Sequence, residues 1–137
     1  MEDIKSVLKM NKLVFDKIEF DRLGFRNQNK PNFKIEARFA KNEDDNIYRI
    51  TLLLKCEKEE EYSFEIVLTG YFSFDSSADI SEKDKNELIT KNTIAIIMPY
   101  MRSQVSLLTA QPEVDCVVLP PFNINSVLEN EDLNEKE

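Results

Sequence analysis

Hydrophobic and polar residues alternate along much of the first half of the chain, and this period of two is typical of β-strands that bury one face. The clearest alternating segment is 62–75, whose apolar row also contains Gly70. That row consists otherwise of Tyr62, Phe64, Ile66, Leu68, Phe72 and Phe74. Segments 47–57 and 33–40 alternate in the same way, so we predict strands that turn one face towards a core.

Residues 8–25 also alternate, but the phase changes part of the way along. Leu13 and Phe15 fall on one parity, whereas Ile18 and Phe20 fall on the other. A slip of one residue reverses the face of every later side chain, so we predict a β-bulge or a bend near Asp16 and Lys17. Polar connections separate the four segments, and the charge run 57–61 is predicted to be a solvated hairpin connection. The expected arrangement is an antiparallel meander.

The hydrophobic period becomes helical in the second half of the chain. Ser81 followed by Asp84 resembles a capping box, so a short polar helix is expected over 82–91. From Thr93 onwards apolar residues recur at helical spacing, and Pro99 is expected to kink this helix or lie in its first turn. The apolar stripe consists of Ile94, Ile97, Met98, Met101, Val105 and Leu108, and Ile96 and Leu107 broaden it.

Pro112 is expected to end this helix, and Pro120 with Pro121 to impose a polyproline-like path. The predicted fold class is α+β: a four-stranded antiparallel β-meander with helices packed on one face. We expect a single domain over residues 1–137. Its parts are a sheet in 8–75, a helical and crossover part in 82–128, and an acidic tail in 129–137.

Composition and charge exclude several classes of partner. The chain has a net charge of −8, which repels a phosphate backbone and disfavours nucleic acid as a partner. No apolar run approaches the roughly 18 residues that a membrane span requires, and the N-terminal residues lack the apolar core of a signal peptide. We therefore expect a cytoplasmic protein that does not insert into membranes.

Few residues suit catalysis or metal binding. Histidine is absent, and Cys56 and Cys116 lie far apart without a CxxC pair, so no metal site and no activated nucleophile are expected. Glu65 and Asp75 are the best carboxylate pair for acid–base chemistry, although charges on such a strand face are usually only solvated. We expect no catalytic residue, no cofactor and no enzymatic activity.

The chain supplies apolar residues in three places: the sheet face, the helix stripe and the run 117–122. Such a stripe is more often core than ligand site. However, a single small domain has only one core to fill, so the surplus indicates an oligomer interface, a peptide groove, or both. Met98 and Met101 would adapt to partners of varied shape.

Three short motifs then suggest a family. Residues 98–102 (MPYMR), 119–125 (LPPFNIN) and 70–74 (GYFSF) are similar to the FPYAR signature, the LAPVNFD segment and the GIFxI strand ending of the export chaperone SecB. Their order and intervals agree over about residues 8–128. The chain therefore resembles the SecB-like chaperones. The resemblance implies a homo-oligomer, a dimer of dimers, that holds non-native polypeptides or preproteins without ATP and passes them to the translocase motor SecA.

The resemblance also implies roles for individual residues. Client binding is expected at Met98, Tyr100, Met101, Val105, Leu119, Pro121 and Phe122. The oligomer interface is expected at Phe64, Ile66 and Leu68, and translocase docking at Glu65. Because Phe122 stands where the family has valine, Asn125 stands where it has aspartate, and few residues follow the segment 119–125, the chain is also similar to SecB-like chaperones of toxin–antitoxin systems. The alternative function is thus a chaperone or adaptor dedicated to one partner, such as an antitoxin.

Overall fold

The fold is described by a computed structural model for residues 8–42, 46–74 and 81–120. It contains a four-stranded antiparallel sheet and one helix packed on it, which confirms the predicted α+β class. The strands are β1 (Leu8–Arg22), β2 (Asn32–Asn42), β3 (Ile47–Lys58) and β4 (Tyr62–Phe74), and the helix is α1 (Glu82–Thr109). Residues 121–128 of the predicted crossover part and the predicted tail 129–137 lie outside the described residues.

The strand order is β1-β4-β3-β2, which differs from a simple meander. Strands β2, β3 and β4 do follow one another through hairpins, but β1 pairs with β4. Residues 23–31, here called the crossover loop, carry the chain across the end of the sheet. The backbone N–H groups of Leu23 and Gly24 donate hydrogen bonds to the Glu61 carbonyl at 2.8 and 3.1 Å, which fixes this loop on the β3–β4 turn. The result is a Greek-key order.

Strand β1 contains the predicted bulge and a second one. Its pairing with β4 shifts between Phe15 and Lys17, as the change of hydrophobic phase indicates, and again between Met10 and Lys12. Both bulges lie on an edge strand. Bulges are frequent at edges because they twist the exposed backbone away from further pairing.

The helix is continuous where the sequence predicts two helices. Ser81 caps it by accepting a hydrogen bond from the Asp84 N–H at 3.2 Å, which confirms the predicted start. Pro99 lies inside the helix and not in a first turn, and the helix ends at Thr109, before Pro112. None of the helices in the described ranges has the length and apolarity needed to cross a bilayer.

The core lies between α1 and one face of the two central strands. The inward-facing side chains of β3 and β4 form one side of the core, and the apolar side of the helix packs on them. Gly70 allows the close approach: a Cβ there would lie 2.8 Å from the Phe72 ring and 3.1 Å from Ile97 Cγ2. The buried central residues are Tyr48, Ile50, Leu52, Leu54, Cys56, Tyr62, Phe64, Ile66, Leu68, Phe72, Ile89, Ile94, Ile97, Met101 and Val105.

Candidate functional site

In the described part of the chain a single helix packs on the four-stranded sheet, and the part of the sheet that it leaves uncovered is apolar. A helix with its side chains is about 10 Å wide, whereas neighbouring strands lie about 4.8 Å apart. The helix packs on β3 and β4, so the outer strands receive little cover. On β1 the core-facing row stays partly accessible, and Ile18 is 44% exposed. This β1 flank consists of Met10, Leu13, Phe15, Ile18 and Phe20.

A groove runs along the opposite side of α1 from the sheet. After the helix the chain turns back, and residues 115–120, here called the return segment, lie against the helix. The Val117 N–H donates to Thr109 Oγ1 at 2.8 Å, and Ser106 Oγ donates to the Val117 carbonyl at 3.0 Å. Leu119 anchors the segment through a side chain that is only 1% exposed. These contacts hold the segment against the helix and leave a shallow, open depression between them.

This return groove has a volume of about 710 Å³ and a mostly apolar lining. Two residues on its rim, Leu107 and Val118, are 69% and 74% exposed, which is unusual for aliphatic side chains beside a concave surface. Arg102 supplies a positive charge at the same place. The lining consists of Pro99, Arg102, Ser103, Ser106, Leu107, Ala110, Cys116, Val118 and Leu119.

A second cavity, of about 360 Å³, lies between the crossover loop and the return segment. It shares Cys116 and Val118 with the return groove, so the two concave surfaces meet at the return segment. Its other wall is polar and contains Asn27 and Lys58. A polypeptide segment lying in an extended conformation along the return groove and this cavity would contact apolar side chains in the groove and amides in the cavity.

A buried ion pair fixes the crossover loop. Lys58 Nζ lies 2.7 Å from Glu61 Oε1 and donates to the Asn27 carbonyl at 3.1 Å. The Asn27 N–H donates to Glu61 Oε1 at 2.9 Å. Burial raises the pKa of the Glu61 carboxyl, but the hydrogen bonds from Lys58 and Asn27 and the positive charge of Lys58 outweigh burial and hold that pKa below its usual range.

Arg22 ties the turn after the helix to the same end of the sheet. Its guanidinium donates to the Gly24 carbonyl at 2.8 Å and to the Glu113 carbonyl at 3.0 Å. On the surface, Arg26 and Asp115 add an ion pair at 3.4 Å between the crossover loop and the return segment. The walls of both concave surfaces are thus fixed by polar contacts to one end of the sheet.

The described groups provide little for catalysis. Burial raises the pKa of the Cys56 thiol to about 12, so it is protonated at neutral pH. Glu65 is ion-paired with Lys17 at 3.4 Å, and Asp75 lies outside the described residues. Among the described side chains, no three histidine, cysteine or acidic residues cluster closely enough to hold a metal ion.

The predicted client-binding residues fall into three groups. Tyr100 is 47% exposed, and Met98 is half-buried. Met101, Val105 and Leu119 are buried, and Leu119 alone of these lines the return groove. Pro121 and Phe122 lie outside the described residues. Met101 and Val105 fill the space between helix and sheet, so they support the groove from beneath and have no surface for a client in the isolated subunit.

The predicted interface residues are also in the core. Phe64, Ile66 and Leu68 face the helix and are almost completely buried, so their contacts are already made within the subunit. A role in assembly stays a prediction for them. The sequence does not predict Leu107 and Val118 as client-binding residues. Leu107 lies at the margin of the helical stripe and Val118 lies in the apolar run 117–122, and these positions are the signals that the sequence offers.

The sequence and the fold of this chain are similar to those of known proteins. No family model matches the sequence. An uncharacterized protein of Methanocaldococcus jannaschii, MJ0357, is 28% identical over 103 residues, which cover 72% of this chain and 64% of that protein. The chain therefore spans less than two thirds of the length of that relative.

Among solved structures, the SecB-like chaperone Rv1957 of Mycobacterium tuberculosis superposes with a TM-score of 0.70 and 9% sequence identity, over 88% of this chain and 94% of that chain. That structure contains a ChAD peptide from the HigA1 antitoxin. A protein of unknown function from Streptococcus agalactiae superposes with a TM-score of 0.49 and 13% identity, over 83% of this chain and 97% of that one. The chain has the SecB-like fold, as its motifs predict.

Proposed function

We propose that this protein is a chaperone that binds extended apolar segments of other polypeptides without ATP. The observation that carries the proposal is the return groove, a shallow, open and mostly apolar depression with Leu107 and Val118 exposed on its rim. The likeness in fold to a SecB-like chaperone seen with a bound peptide supports it. Keeping preproteins competent for export in the cytoplasm is the specific role that the sequence motifs favour.

Binding would follow from burial of apolar area. About 25 cal/mol is gained per Å² removed from water, before the entropy of ordering the client is subtracted. Hydrogen bonds from Val117 to Ser106 and Thr109 already order the return segment, so ordering this side of the groove on binding would cost little conformational entropy. Because the contact is non-directional, many apolar sequences would bind with moderate affinity. The net charge of −8 would favour clients with basic flanking residues.

The test is suppression of aggregation of a chemically denatured protein, followed by light scattering without ATP. We expect the wild-type chain to suppress scattering at a few-fold molar excess, and Leu107→Glu to lose most of this activity because a charge would lie in the channel. Leu23→Glu is the matched control, since Leu23 is 60% exposed but does not line the groove. Full activity of Leu107→Glu, or no suppression by the wild type, would refute the proposal.

A second candidate is an adaptor dedicated to one partner, and the peptide in the Rv1957 complex favours it, because that peptide comes from an antitoxin. An array of overlapping peptides from unrelated proteins distinguishes the two candidates. Binding of many apolar and aromatic peptides supports the general chaperone. Binding of none of them, together with tight binding of one antitoxin peptide from the same genome, supports the adaptor.

Docking of SecA at Glu65 remains a separate proposal. Glu65 lies on the sheet face opposite the helix, where Lys17 partly neutralises it. Glu65→Lys should weaken binding of purified SecA and leave suppression of aggregation unchanged, because the return groove is on the other side of the sheet. Equal SecA binding by both forms would remove this docking role.

A further inference from the structure

The described part of the chain ends at the return groove. Leu119 lines the groove with a buried side chain, and Pro120 is the last described residue. Two hydrogen bonds between Val117 and the helix hold the return segment in place just before this point. Residues 121–137 follow in the sequence, so this continuation of the chain starts beside the groove.

The continuation of the chain has the composition of the polypeptide segments that the groove is proposed to bind. Residues 122–129, here called the tail segment, carry no charge before their last position. Glu129 at that position begins an acidic run. The apolar residues of the tail segment are Phe122, Ile124, Val127 and Leu128. The chain thus carries an apolar stretch, followed by negative charge, directly after a wall of its own apolar groove.

The chemistry of the groove matches that of the tail segment. Leu107 and Val118 on its rim are 69% and 74% exposed, so both have aliphatic surface to cover. Among the described residues that line the groove, only Arg102 is charged, and it forms no salt bridge with another described residue. A segment that places aliphatic side chains on the rim would bring the carboxylate of Glu129 near this guanidinium.

The continuation of the chain is long enough to turn back into the groove. On the helix the groove extends from Pro99 to Ala110, which is about 16 Å at a rise of about 1.5 Å per residue. An extended chain covers this length with about five residues at about 3.3 Å each, and a β-turn requires about four more. Asn123, Asn125 and Ser126 favour such a reversal of the chain. The apolar pair that follows them is then placed at the groove.

We propose that the tail segment binds the return groove of its own subunit when no client is present, and that a client has to displace it. This inference rests on the proposed function and adds regulation of the same site. Because the tail segment is tethered beside the groove, its effective concentration is in the millimolar range, and contacts too weak to hold a free peptide still cover the groove. The exposed aliphatic rim is thereby shielded from non-specific association between rounds of client binding.

Photocrosslinking in the whole chain identifies the occupant of the groove. The photoreactive amino acid benzoylphenylalanine replaces Leu107, the protein is irradiated without client, and mass spectrometry locates the crosslinks. A mixture of ¹⁵N-labelled and unlabelled protein distinguishes contacts within a subunit from contacts between copies. We expect crosslinks to the tail segment of the same subunit, and none from the same label in place of Leu23, which is exposed outside the groove. Crosslinks only to other residues, or only to a second copy, would overturn the proposal.

Client affinity tests the competition itself. Val127→Ser/Leu128→Ser should lower the dissociation constant for a permanently unfolded polypeptide by about fivefold or more, because the client no longer competes with the tail segment. Leu133→Ser, which lies in the acidic run beyond the tail segment, is the control and should bind as the wild type does. Isothermal titration measures all three proteins, and circular dichroism checks their folding.

The results separate this inference from the proposed function. Equal dissociation constants for Val127→Ser/Leu128→Ser and the wild type would overturn the inference and leave the proposed function intact. If none of the three proteins binds the polypeptide, the proposed function fails. In that case the crosslinks from position 107 still decide whether the tail segment occupies the groove.

Discussion

Glu61 is a carboxylate with no exposed surface, and its neighbours explain how the fold accommodates it. Lys58 and Asn27 both bind Oε1, while Oε2 has no hydrogen-bond partner among the described residues. Isolated buried charges are costly, but paired and hydrogen-bonded ones can be retained. Here the pair connects the crossover loop to the β3–β4 turn, so a local charge interaction determines how the chain crosses the end of the sheet.

We expect Glu61→Gln to lower the free energy of unfolding by about 3 kcal/mol, because Lys58 would remain buried without its counter-charge. Urea denaturation followed by circular dichroism measures this difference. Glu65→Gln is the control: it removes a carboxylate from a partly exposed pair and should cost less than about 1 kcal/mol. A similar small cost at both positions would show that the buried pair contributes little to the fold.

The same residue predicts a dependence of stability on pH. The pKa of Glu61 is lowered in the folded state, so its contribution is present above the unfolded value of about 4.3. That contribution is lost as the pH falls through the lower, folded value. The wild type should therefore lose stability more steeply than Glu61→Gln as the pH decreases below about 4.3. Parallel pH profiles of the two proteins would contradict this assignment.

At the scale of elements, the packing of α1 on β4 depends on the absence of a side chain at Gly70. The Phe72 ring and Ile97 Cγ2 occupy the space that a methyl group would need. The helix therefore lies close to β4 at this position. Any increase in the separation of helix and sheet would also displace the return segment, which is anchored to the helix through Ser106 and Thr109.

Gly70→Ala should lower the free energy of unfolding by about 1–3 kcal/mol through overpacking. Ile97→Ala removes the opposing methyl group, so in the double variant the two effects should be less than additive. Chemical denaturation of the two single variants and the double variant measures the coupling energy. Strict additivity would mean that the two positions do not compete for the same space.

The elements differ in how well the sequence predicts them. The four strands, the bulge near Asp16 and the Ser81 cap follow from local alternation and spacing, and all of them are present. The pairing of β1 with β4 could not be predicted in this way, because it depends on contacts between the crossover loop and the distant Glu61 carbonyl. Similarly, the run 57–61 resembles a solvated turn, yet Lys58 and Glu61 are buried once Asn27 reaches them.

Pro99 illustrates the same limit within the helix. Local rules predict a kink or a first turn there; the structure excludes the first turn, because Pro99 lies well inside a helix whose residues Ile94, Ile97 and Met101 are held by the core. The same packing explains why residues expected to bind clients are buried. The apolar stripe of the helix packs against the sheet within the subunit. The exposed groove is formed by residues at the margin of that stripe.

At the scale of the whole molecule, the helix divides the surface into regions with different properties. The β1 flank and the return groove leave apolar side chains accessible on the helix side. The sheet face without the helix has half-buried apolar side chains at its centre, Val14, Leu53, Val67 and Tyr71, and carries charges of both signs around them.

The central claim is that apolar surface on the helix side is available to other polypeptides. Isothermal titration of a permanently unfolded polypeptide into the protein, at several temperatures and without nucleotide, tests it most directly. The account predicts saturable binding with a negative change in heat capacity, the sign of apolar burial. It also predicts weaker binding by Leu107→Glu than by Leu23→Glu. Absence of binding, or binding without a heat-capacity change, would contradict it.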